Sequence, residues 1–329
     1  MTTQTQAITF SQFGGPEVLS LQPVALPAPG QGEIQLRHRA VGLNFIDIYH
    51  RKGIFAAPLP LPSGLGVEGV GTVIATGDGV TGFSTGDRVA YVGGPPGGYS
   101  ESRNLPAARA IRVPDGIDDT TAAAMIFKGL TAEYLIHRCM AVQQGDPVLF
   151  HAAAGGVGSI ACQWLKSIGA VVIGTVGSDA KADTARRNGC DHVIVAGTED
   201  IADRVRQITG GKGVRVVYDS VGADTFAASL DCLALRGTLV SFGESSGPVP
   251  PLAVGSLGAR GSLFVTRPSI AHYTADRAEY EAAAQRLFAA MRDGTLAPPQ
   301  VTPYPLAQAA RAQDDMENRR TQGSVVLLP

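Results

Sequence analysis

The sequence predicts an α/β protein with two domains, one rich in β-strands and one built around a doubly wound, six-stranded parallel sheet. Up to about residue 120 the chain is rich in Gly and Pro, and short segments alternate apolar with polar residues. From Thr121 onward, short apolar runs alternate with helix-like patterns. The first pattern is typical of a compact antiparallel β-domain, and the second of βαβ units that share a parallel sheet. The length of 329 residues allows two domains of about 150 residues each.

The individual elements follow from the same patterns. In the first domain, alternating segments predict strands at 33–41, 71–75 and 88–92. In the second, a helix is predicted at 122–138, and six strands are predicted at 147–151, 171–175, 192–195, 214–218, 238–242 and 263–265. A further helix at 278–292 and a strand at 324–328 end the chain.

A glycine-rich turn follows the first of these six strands. The apolar run 147–151 ends in small residues, and an amphipathic pattern at 160–168 begins at once. A strand, a tight turn and a helix N-terminus form the context that binds a dinucleotide pyrophosphate. Ala153 replaces the first glycine of the usual G-x-G-x-x-G, so a turn without a ligand is the alternative. The predicted binding residues are Gly155, Gly156, Val157 and Gly158.

Composition argues against several other classes of protein. The formal net charge of −2 and the lack of any Lys/Arg cluster longer than a pair argue against nucleic-acid binding. The four cysteines are far apart and form no C-x-x-C pair, as expected in a reducing compartment. The first 15 residues lack the pattern of a signal peptide, and no apolar run approaches the ~18 residues that span a bilayer. We therefore expect a cytoplasmic protein with no membrane partner.

Many ordered matches give the chain a family resemblance. The long signature is carried by 145–149, 153–158, Gln163 and Lys166, and further matches lie at 44–47, 62–66, 127–131, 217–222 and 266–269. With these residues the chain resembles the quinone oxidoreductases, the zeta-crystallin-like branch of the medium-chain dehydrogenase/reductase superfamily.

The resemblance implies that superfamily's two-domain architecture. It implies a GroES-like catalytic domain at 1–121, a Rossmann NADP-binding domain at 122–265, and a C-terminal segment at 266–329 that returns to the catalytic domain. It also implies a homodimer joined through the Rossmann sheets, with 261–266 as the edge strand.

The residues at the superfamily's zinc positions do not predict a metal site. Zinc-dependent relatives use a Cys, a His in a G-H-E run, and a second Cys or an acid. Those positions hold Asn44, Val67, and Phe127 or Lys128, none of which is a zinc ligand. The loop at 93–100, where a structural zinc would need four cysteines, has none. The sequence therefore predicts a zinc-independent protein.

The residues after the second strand favour NADPH over NADH. An NAD-selective site has an acid at the end of that strand, whereas this chain has Gly177 and Ser178. Asp179 comes slightly too late and is interpreted as a helix N-cap. By resemblance Lys181 contacts the 2′-phosphate, although a solvated surface lysine is the alternative. Relatives carry a tyrosine where this chain has Ala196, which weakens the preference for NADPH.

The resemblance extends the cofactor site to other loops. Tyr134 aligns with a family tyrosine at the cofactor, with a core tyrosine as the alternative. Arg267 would contact a phosphate or the carboxamide, with an ion-paired surface arginine as the alternative. The remaining cofactor-binding residues predicted in this way are Asn44, Thr131, Ser220, Phe242, Gly243, Ser245 and Arg319.

Three residues are predicted to take part in catalysis. Asn44 would donate a hydrogen bond to the acceptor oxygen or lie near the nicotinamide ribose, with a turn-stabilising Asn as the alternative. Tyr49 would donate a proton or hydrogen bond to the developing oxyanion, a proton that water can also supply. The spacing of Asn44, Asp47 and Tyr49 is consistent with a short helix after the strand at 33–41, and Asp47 is expected to orient its neighbours or to cap that helix.

The function predicted from these residues is the transfer of reducing equivalents from NADPH to quinones. One alternative is an NADPH-dependent enone or alkenal reductase, which would share the fold and the cofactor and differ in the acceptor pocket. A second, from another class, is a non-catalytic NADPH-binding protein. The predicted partners are a small quinone or enone and a second copy of the chain.

Overall fold

A computed structural model describes residues 3–55 and 57–329. The chain divides into two compact units. Unit 1 comprises the chain as far as Phe127 together with Tyr280–Phe288 and Pro298–Pro329, and unit 2 comprises Lys128–Glu279 and Ala289–Ala297. The domain bounds that we drew from the sequence remain a prediction.

The elements are numbered in chain order. The strands are β1 (Thr3–Phe10), β2 (Ser20–Leu26), β3 (Glu33–Gly42), β4 (Ser63–Gly64), β5 (Glu68–Thr76), β6 (Arg88–Val92), β7 (Ser102–Pro106), β8 (Ala110–Arg112), β9 (Pro147–Phe150), β10 (Val171–Val176), β11 (His192–Val195), β12 (Val214–Asp219), β13 (Leu233–Ser241), β14 (Phe264–Thr266), β15 (Val301–Pro305) and β16 (Ser324–Leu328). The helices are α1 (Phe45–Lys52), α2 (Asp119–Glu133), α3 (Gly156–Ile168), α4 (Ala182–Arg187), α5 (Ile201–Ile208), α6 (Phe226–Asp231), α7 (Val254–Ala259), α8 (Ile270–Tyr273), α9 (Arg277–Arg292) and α10 (Ala309–Glu317).

Unit 1 is built on β-sheets whose strands are mostly antiparallel. Within the described residues, β2-β1-β4 form one sheet and β15-β16-β3-β5-β6-β8 form another, with β7 also paired to β3. Along β3, Ile34, Leu36 and Ala40 are fully buried, which is the period-2 burial expected of a strand with one face on a core. The last strand, β16, pairs antiparallel with β3 and brings the end of the chain beside a strand from its beginning.

Unit 2 contains the parallel sheet. Its strand order is β11-β10-β9-β12-β13-β14, and every pairing in it is parallel. In sequence order this is 3-2-1-4-5-6, the doubly wound arrangement in which the order reverses beside the first strand. Val148, Leu149 and Phe150 of β9 are fully buried, as expected of a central strand covered on both faces. The predicted fold class is confirmed.

One strand and one helix differ most from their predicted bounds. Strand β13 begins at Leu233 rather than 238, because Leu233 pairs with Val214 before a register shift. The predicted helix at 122–138 is α2 up to Glu133 and then a π-helical turn, Tyr134–Cys139. An ion pair from Arg138 to Glu133, five residues apart, matches the π spacing. Such turns interrupt helices frequently at functional sites.

A buried arginine fastens the last helix of unit 1 to its first. The guanidinium of Arg51 is fully buried and donates to the Gly14 carbonyl oxygen, the Gln313 side chain and the Glu317 carboxylate. The neighbouring Lys52 pairs with the same Glu317, but its side chain is 45% exposed. Arg51 therefore connects α1 to α10, whereas Lys52 is a surface ion pair.

Replacing Arg51 by Met should lower the free energy of unfolding by about 3 kcal/mol, because it leaves buried acceptors without their donor. Replacing Lys52 by Met, which removes a pairing to the same carboxylate, should cost less than about 1 kcal/mol. Urea unfolding of both variants measures the difference. Equal losses would contradict the assignment of Arg51 as the buried anchor.

Candidate active site

The glycine turn of unit 2 lies between β9 and α3. Ala152 adopts a left-handed conformation with φ of 54°, and its carbonyl oxygen accepts the Gly155 N–H at 2.8 Å. The Ala153 N–H donates to the Thr175 carbonyl oxygen at 2.9 Å, which holds the turn against β10. Gly155 is the N-cap of α3, and no side chain caps the first turn of this helix. The amide N–H groups at that end are therefore free to bind an anion, and the helix dipole also favours negative charge there.

Close packing explains the last glycine of the turn. A Cβ on Gly158 would lie 2.3 Å from the Ala152 carbonyl oxygen, a distance that real Cβ atoms essentially never show. Gly158 is buried, whereas Gly155 is exposed and Gly156 and Val157 are half-buried. The turn thus packs its last glycine against the strand end and leaves the preceding residues accessible.

Lys128 adds a cation beside this turn, which the sequence analysis considered only as a replaced zinc position. Its side chain is 5% exposed, and its Cδ and Cε lie 2.9 Å from the point that a Cβ on Gly156 would occupy. Because the Lys128 side chain lies this close, a residue with a Cβ would be crowded at position 156, which explains the glycine there. No spacing signal in the sequence identified Lys128 as a neighbour of Gly156.

The segment after β10 carries the residues predicted to select the dinucleotide. Gly177 and Ser178 are exposed, and a 3₁₀ turn at Asp179–Lys181 leaves Lys181 half-buried. The interpretation of Asp179 as an N-cap is wrong, because Ser178 caps this turn and Asp179 is its first residue. Val176 ends the strand, and the two residues that follow it carry no acid.

The loops after β12, β13 and β14 meet one another. The Ser245 N–H donates to the Ser220 carbonyl oxygen at 3.2 Å, and a Cβ on Gly243 would lie 2.8 Å from that same oxygen. Arg267 donates to the carbonyl oxygens of Ser241 and Gly243 and pairs with Glu244. The structure therefore brings together the predicted residues Ser220, Phe242, Gly243, Ser245 and Arg267.

Tyr134 lies in the π-helical turn and is 2% exposed. Its ring stacks on Tyr273, with centroids 4.4 Å apart and planes 13° from parallel, and burial raises its pKa. The Arg138 guanidinium lies 5.2 Å from the Tyr273 ring centroid. Thr131, one turn earlier, is buried in α2. Tyr273 was not predicted, since 139 residues separate it from its stacking partner in the sequence.

In unit 1, Asn44 is the N-cap of helix α1, the short helix that the spacing of Asn44, Asp47 and Tyr49 predicts. The Asn44 N–H donates to Asp47 Oδ2 at 2.9 Å, so Asp47 caps the helix. The Asn44 Nδ2 donates to Glu68 Oε1 at 2.5 Å, and Glu68 Oε2 accepts the Phe127 N–H. Asp47 and Glu68 are both fully buried. Two buried carboxylates thus fix the backbone and the amide of Asn44, and the sequence analysis missed Glu68.

The other predicted residues of unit 1 lie on its surface elements. Tyr49 is half-buried on α1, with ring centroids 6.3 Å from Phe45 and 6.1 Å from Phe55. Arg319 is exposed just beyond α10 with a left-handed φ of 58°. The roles of all these site residues remain predictions.

The comparisons with known proteins identify the family. Residues 156–289 match the model of zinc-binding dehydrogenases, and residues 30–115 match the GroES-like domain of alcohol dehydrogenases. The chain is 49% identical to a quinone oxidoreductase of Pseudomonas aeruginosa, over 98% of this chain and 99% of that protein. The chain belongs to the quinone oxidoreductase family. The family predicted from the sequence is therefore confirmed.

The chain is also similar to a solved structure that contains NADPH and to a relative named for a substrate other than a quinone. A structure of Escherichia coli quinone oxidoreductase complexed with NADPH has a TM-score of 0.96 and 46% identity, over 98% of this chain and all of that one. A 2-haloacrylate reductase of Burkholderia is 46% identical over 98% of this chain and 98% of its own length.

One of the two matching family models is named for zinc binding, but the residues at the zinc positions of this chain do not fit that metal. The Asn44 side-chain amide donates a hydrogen bond to Glu68, and so does the Phe127 backbone N–H. The side chain of Val67 has no atom that can bind a metal ion. Within residues 3–55 and 57–329, no group of three His, Cys, Asp or Glu side chains is arranged to hold a metal ion.

NADPH, by contrast, fits unit 2. The uncapped N-terminus of α3 is suited to a pyrophosphate, and the accessible turn residues allow its close approach. Ser178 and Lys181 follow β10 where an NAD-selective site would have an acid.

Gly158→Ala should lower the free energy of unfolding by about 2 kcal/mol, because the added methyl group overlaps the Ala152 carbonyl oxygen. Gly177→Ala is the matched control, since nothing lies within 4 Å of its added Cβ, and a change within about 0.5 kcal/mol is expected. Urea unfolding followed by circular dichroism compares them. An unchanged Gly158→Ala variant would contradict the packing argument.

Proposed function

We propose that this chain is a zinc-independent oxidoreductase that transfers reducing equivalents from NADPH to quinones. The observation that carries the proposal is the uncapped, glycine-lined start of α3, together with Lys181 and the lack of an acid in the two residues that follow the next strand. Membership of the quinone oxidoreductase family supports it, as does the relative whose structure contains NADPH. The zinc positions hold no zinc ligand, which supports chemistry without that metal.

The residues of unit 2 would bind the cofactor. The amides of Gly155 to Gly158 would hold the pyrophosphate, and Ser178 and Lys181 the 2′-phosphate. The loops that meet at Ser220 and Arg267 would hold the nicotinamide half, with Thr131 and Tyr134 beside them. When bound, NADPH supplies the hydride. These residues contribute position and electrostatics rather than covalent chemistry.

The residues of unit 1 would polarise the acceptor. The Asn44 side chain donates one N–H to Glu68, so its second N–H is the donor available to an acceptor oxygen. Asp47 holds the backbone of Asn44, so its part is positioning rather than proton transfer. Tyr49 would donate a hydrogen bond or a proton to the oxyanion, and water can instead protonate the hydroquinone anion. In addition, Arg319 would contact the cofactor.

An enone or alkenal reductase is the second candidate, favoured by the similarity to a 2-haloacrylate reductase. It would use the same cofactor residues and deliver the hydride to an activated carbon–carbon double bond. A non-catalytic NADPH-binding protein is the third possibility, and it predicts binding without turnover.

Steady-state oxidation of NADPH and NADH by metal-free protein, with a small quinone and an alkenal as acceptors, separates the three. We expect turnover of NADPH with the quinone, unchanged by a chelator. Turnover with the alkenal alone would reassign the protein as an enone reductase. Cofactor binding without turnover would leave a binding protein and withdraw the roles of Asn44 and Tyr49.

The same assay tests the cofactor preference through one variant. Lys181→Ala should raise the KM for NADPH about tenfold, because an ion-paired hydrogen bond to the 2′-phosphate is lost. The KM for NADH should stay unchanged. An equal change for both cofactors would contradict a contact with that phosphate.

We also infer a homodimer in the cytoplasm. Strand β14 lies at one end of the unit 2 sheet order, and its Phe264 is 60% exposed, while Leu235 of the neighbouring strand β13 is 79% exposed. An apolar edge strand is suited to pairing with a second copy. Sedimentation velocity should give a dimer, and Phe264→Glu should shift it to monomer. A wild-type monomer at micromolar concentration would contradict this.

A reducing compartment agrees with the four free cysteines, and no described helix is long and apolar enough to cross a membrane.

A further inference from the structure

A fully buried histidine stands directly before the glycine turn. Both ring nitrogens of His151 are hydrogen-bonded to hydroxyl groups, Nδ1 to Thr175 Oγ1 at 3.0 Å and Nε2 to Ser229 Oγ at 3.0 Å. His151 directly follows β9, Thr175 lies in β10 and Ser229 lies in α6. None of the chemistry proposed above uses this imidazole.

The hydrogen bonds of this group run in one direction. Ser229 donates to Asp219 Oδ2 at 2.7 Å, so its oxygen accepts from His151, and the ring proton lies on Nε2. Burial lowers the pKa of His151, which keeps the imidazole neutral and leaves Nδ1 as an acceptor for the Thr175 hydroxyl. The Thr175 oxygen then accepts the Ala152 N–H at 3.3 Å.

The two ends of this chain of hydrogen bonds lie in two different cofactor loops. One end is Ala152, whose left-handed backbone is uncommon for a residue with a Cβ and whose carbonyl oxygen contacts the turn glycines. The other end is Asp219, whose Oδ1 accepts the N–H groups of Val221 and Gly222 and so shapes the loop that contains Ser220. His151 is the link between the pyrophosphate turn and the loop after β12.

We propose that His151 is a positioning residue for NADPH, which holds the glycine turn and the loop after β12 in one register through Thr175 and Ser229. The inference rests on the proposed use of NADPH. A histidine that only fills the core would affect stability and leave cofactor affinity unchanged. A positioning histidine changes affinity at temperatures where the protein remains folded.

Three variants separate these roles. His151→Phe keeps a flat ring and removes both hydrogen bonds, Thr175→Val keeps the shape and removes the hydroxyl, and Thr175→Ser restores it. His38→Phe is the matched control in unit 1. That histidine is also buried and bonded at both nitrogens, to the Ser100 carbonyl oxygen and the Tyr91 hydroxyl.

The readouts are the Kd of NADPH from cofactor fluorescence, KM and kcat, and amide hydrogen exchange of residues 152–158 without cofactor. We expect His151→Phe and Thr175→Val each to raise Kd and KM for NADPH about tenfold, with kcat at saturation within about twofold. The double variant of His151→Phe and Thr175→Val should bind NADPH no more weakly than the single variant with the lower affinity, because both substitutions break the same link. Thr175→Ser should recover most of the affinity, and His38→Phe should leave it unchanged. Exchange should accelerate in His151→Phe and Thr175→Val only.

Wild-type affinity and exchange in Thr175→Val would overturn the inference, and this variant decides even where His151→Phe fails to fold. A nitrogen NMR spectrum showing the ring proton on Nδ1 would overturn it independently. Failure of the wild-type protein to bind NADPH would overturn the proposed function, and this inference with it. Wild-type binding with unaffected variants removes the inference alone.

Discussion

The contact between Gly158 and the carbonyl oxygen of Ala152 is the constraint on which the cofactor side of unit 2 depends. A Cβ on residue 158 would lie 2.3 Å from that oxygen, so only glycine lets the first turn of α3 pack against the short turn, 151–155, that follows β9. The amides of the first turn are thereby placed at the carboxyl edge of the sheet, beside the reversal of strand order where doubly wound folds bind ligands. Ala152 adopts a left-handed backbone in this turn. Thr175 accepts the Ala152 N–H through its side-chain oxygen and the Ala153 N–H through its carbonyl oxygen.

Buried polar groups fix the predicted site residues in both units. In unit 1, Asp47 and Glu68 are fully buried, a placement that is costly unless hydrogen bonds satisfy the carboxylates. They accept from the backbone and side chain of Asn44, from Tyr99 and from the Phe127 N–H. In unit 2, Asp219 accepts from two backbone amides, Thr225 and Ser229. In each case a buried carboxylate holds a backbone segment that carries site residues.

Features encoded by neighbouring residues could be predicted from the sequence. The strands of unit 2 follow from apolar runs between turns, the helix after Asn44 from the spacing to Asp47, and the need for Gly158 from the turn motif. Features that depend on distant residues could not. Glu68 lies 24 residues from Asn44, and Ser229 lies 78 residues from His151. The π-helical turn, across which Arg138 pairs with Glu133, also escaped prediction, since a one-residue widening leaves the apolar periodicity of a helix almost unchanged.

We propose that the start of α3 and the segment around Lys181 bind the phosphates of NADPH. Phosphorus NMR of NADPH titrated with metal-free protein reports on both contacts, because the pyrophosphate and the 2′-phosphate give separate resonances. Both sets of resonances should shift and reach saturation together as the protein approaches one equivalent. Unshifted resonances in the presence of folded protein would contradict it.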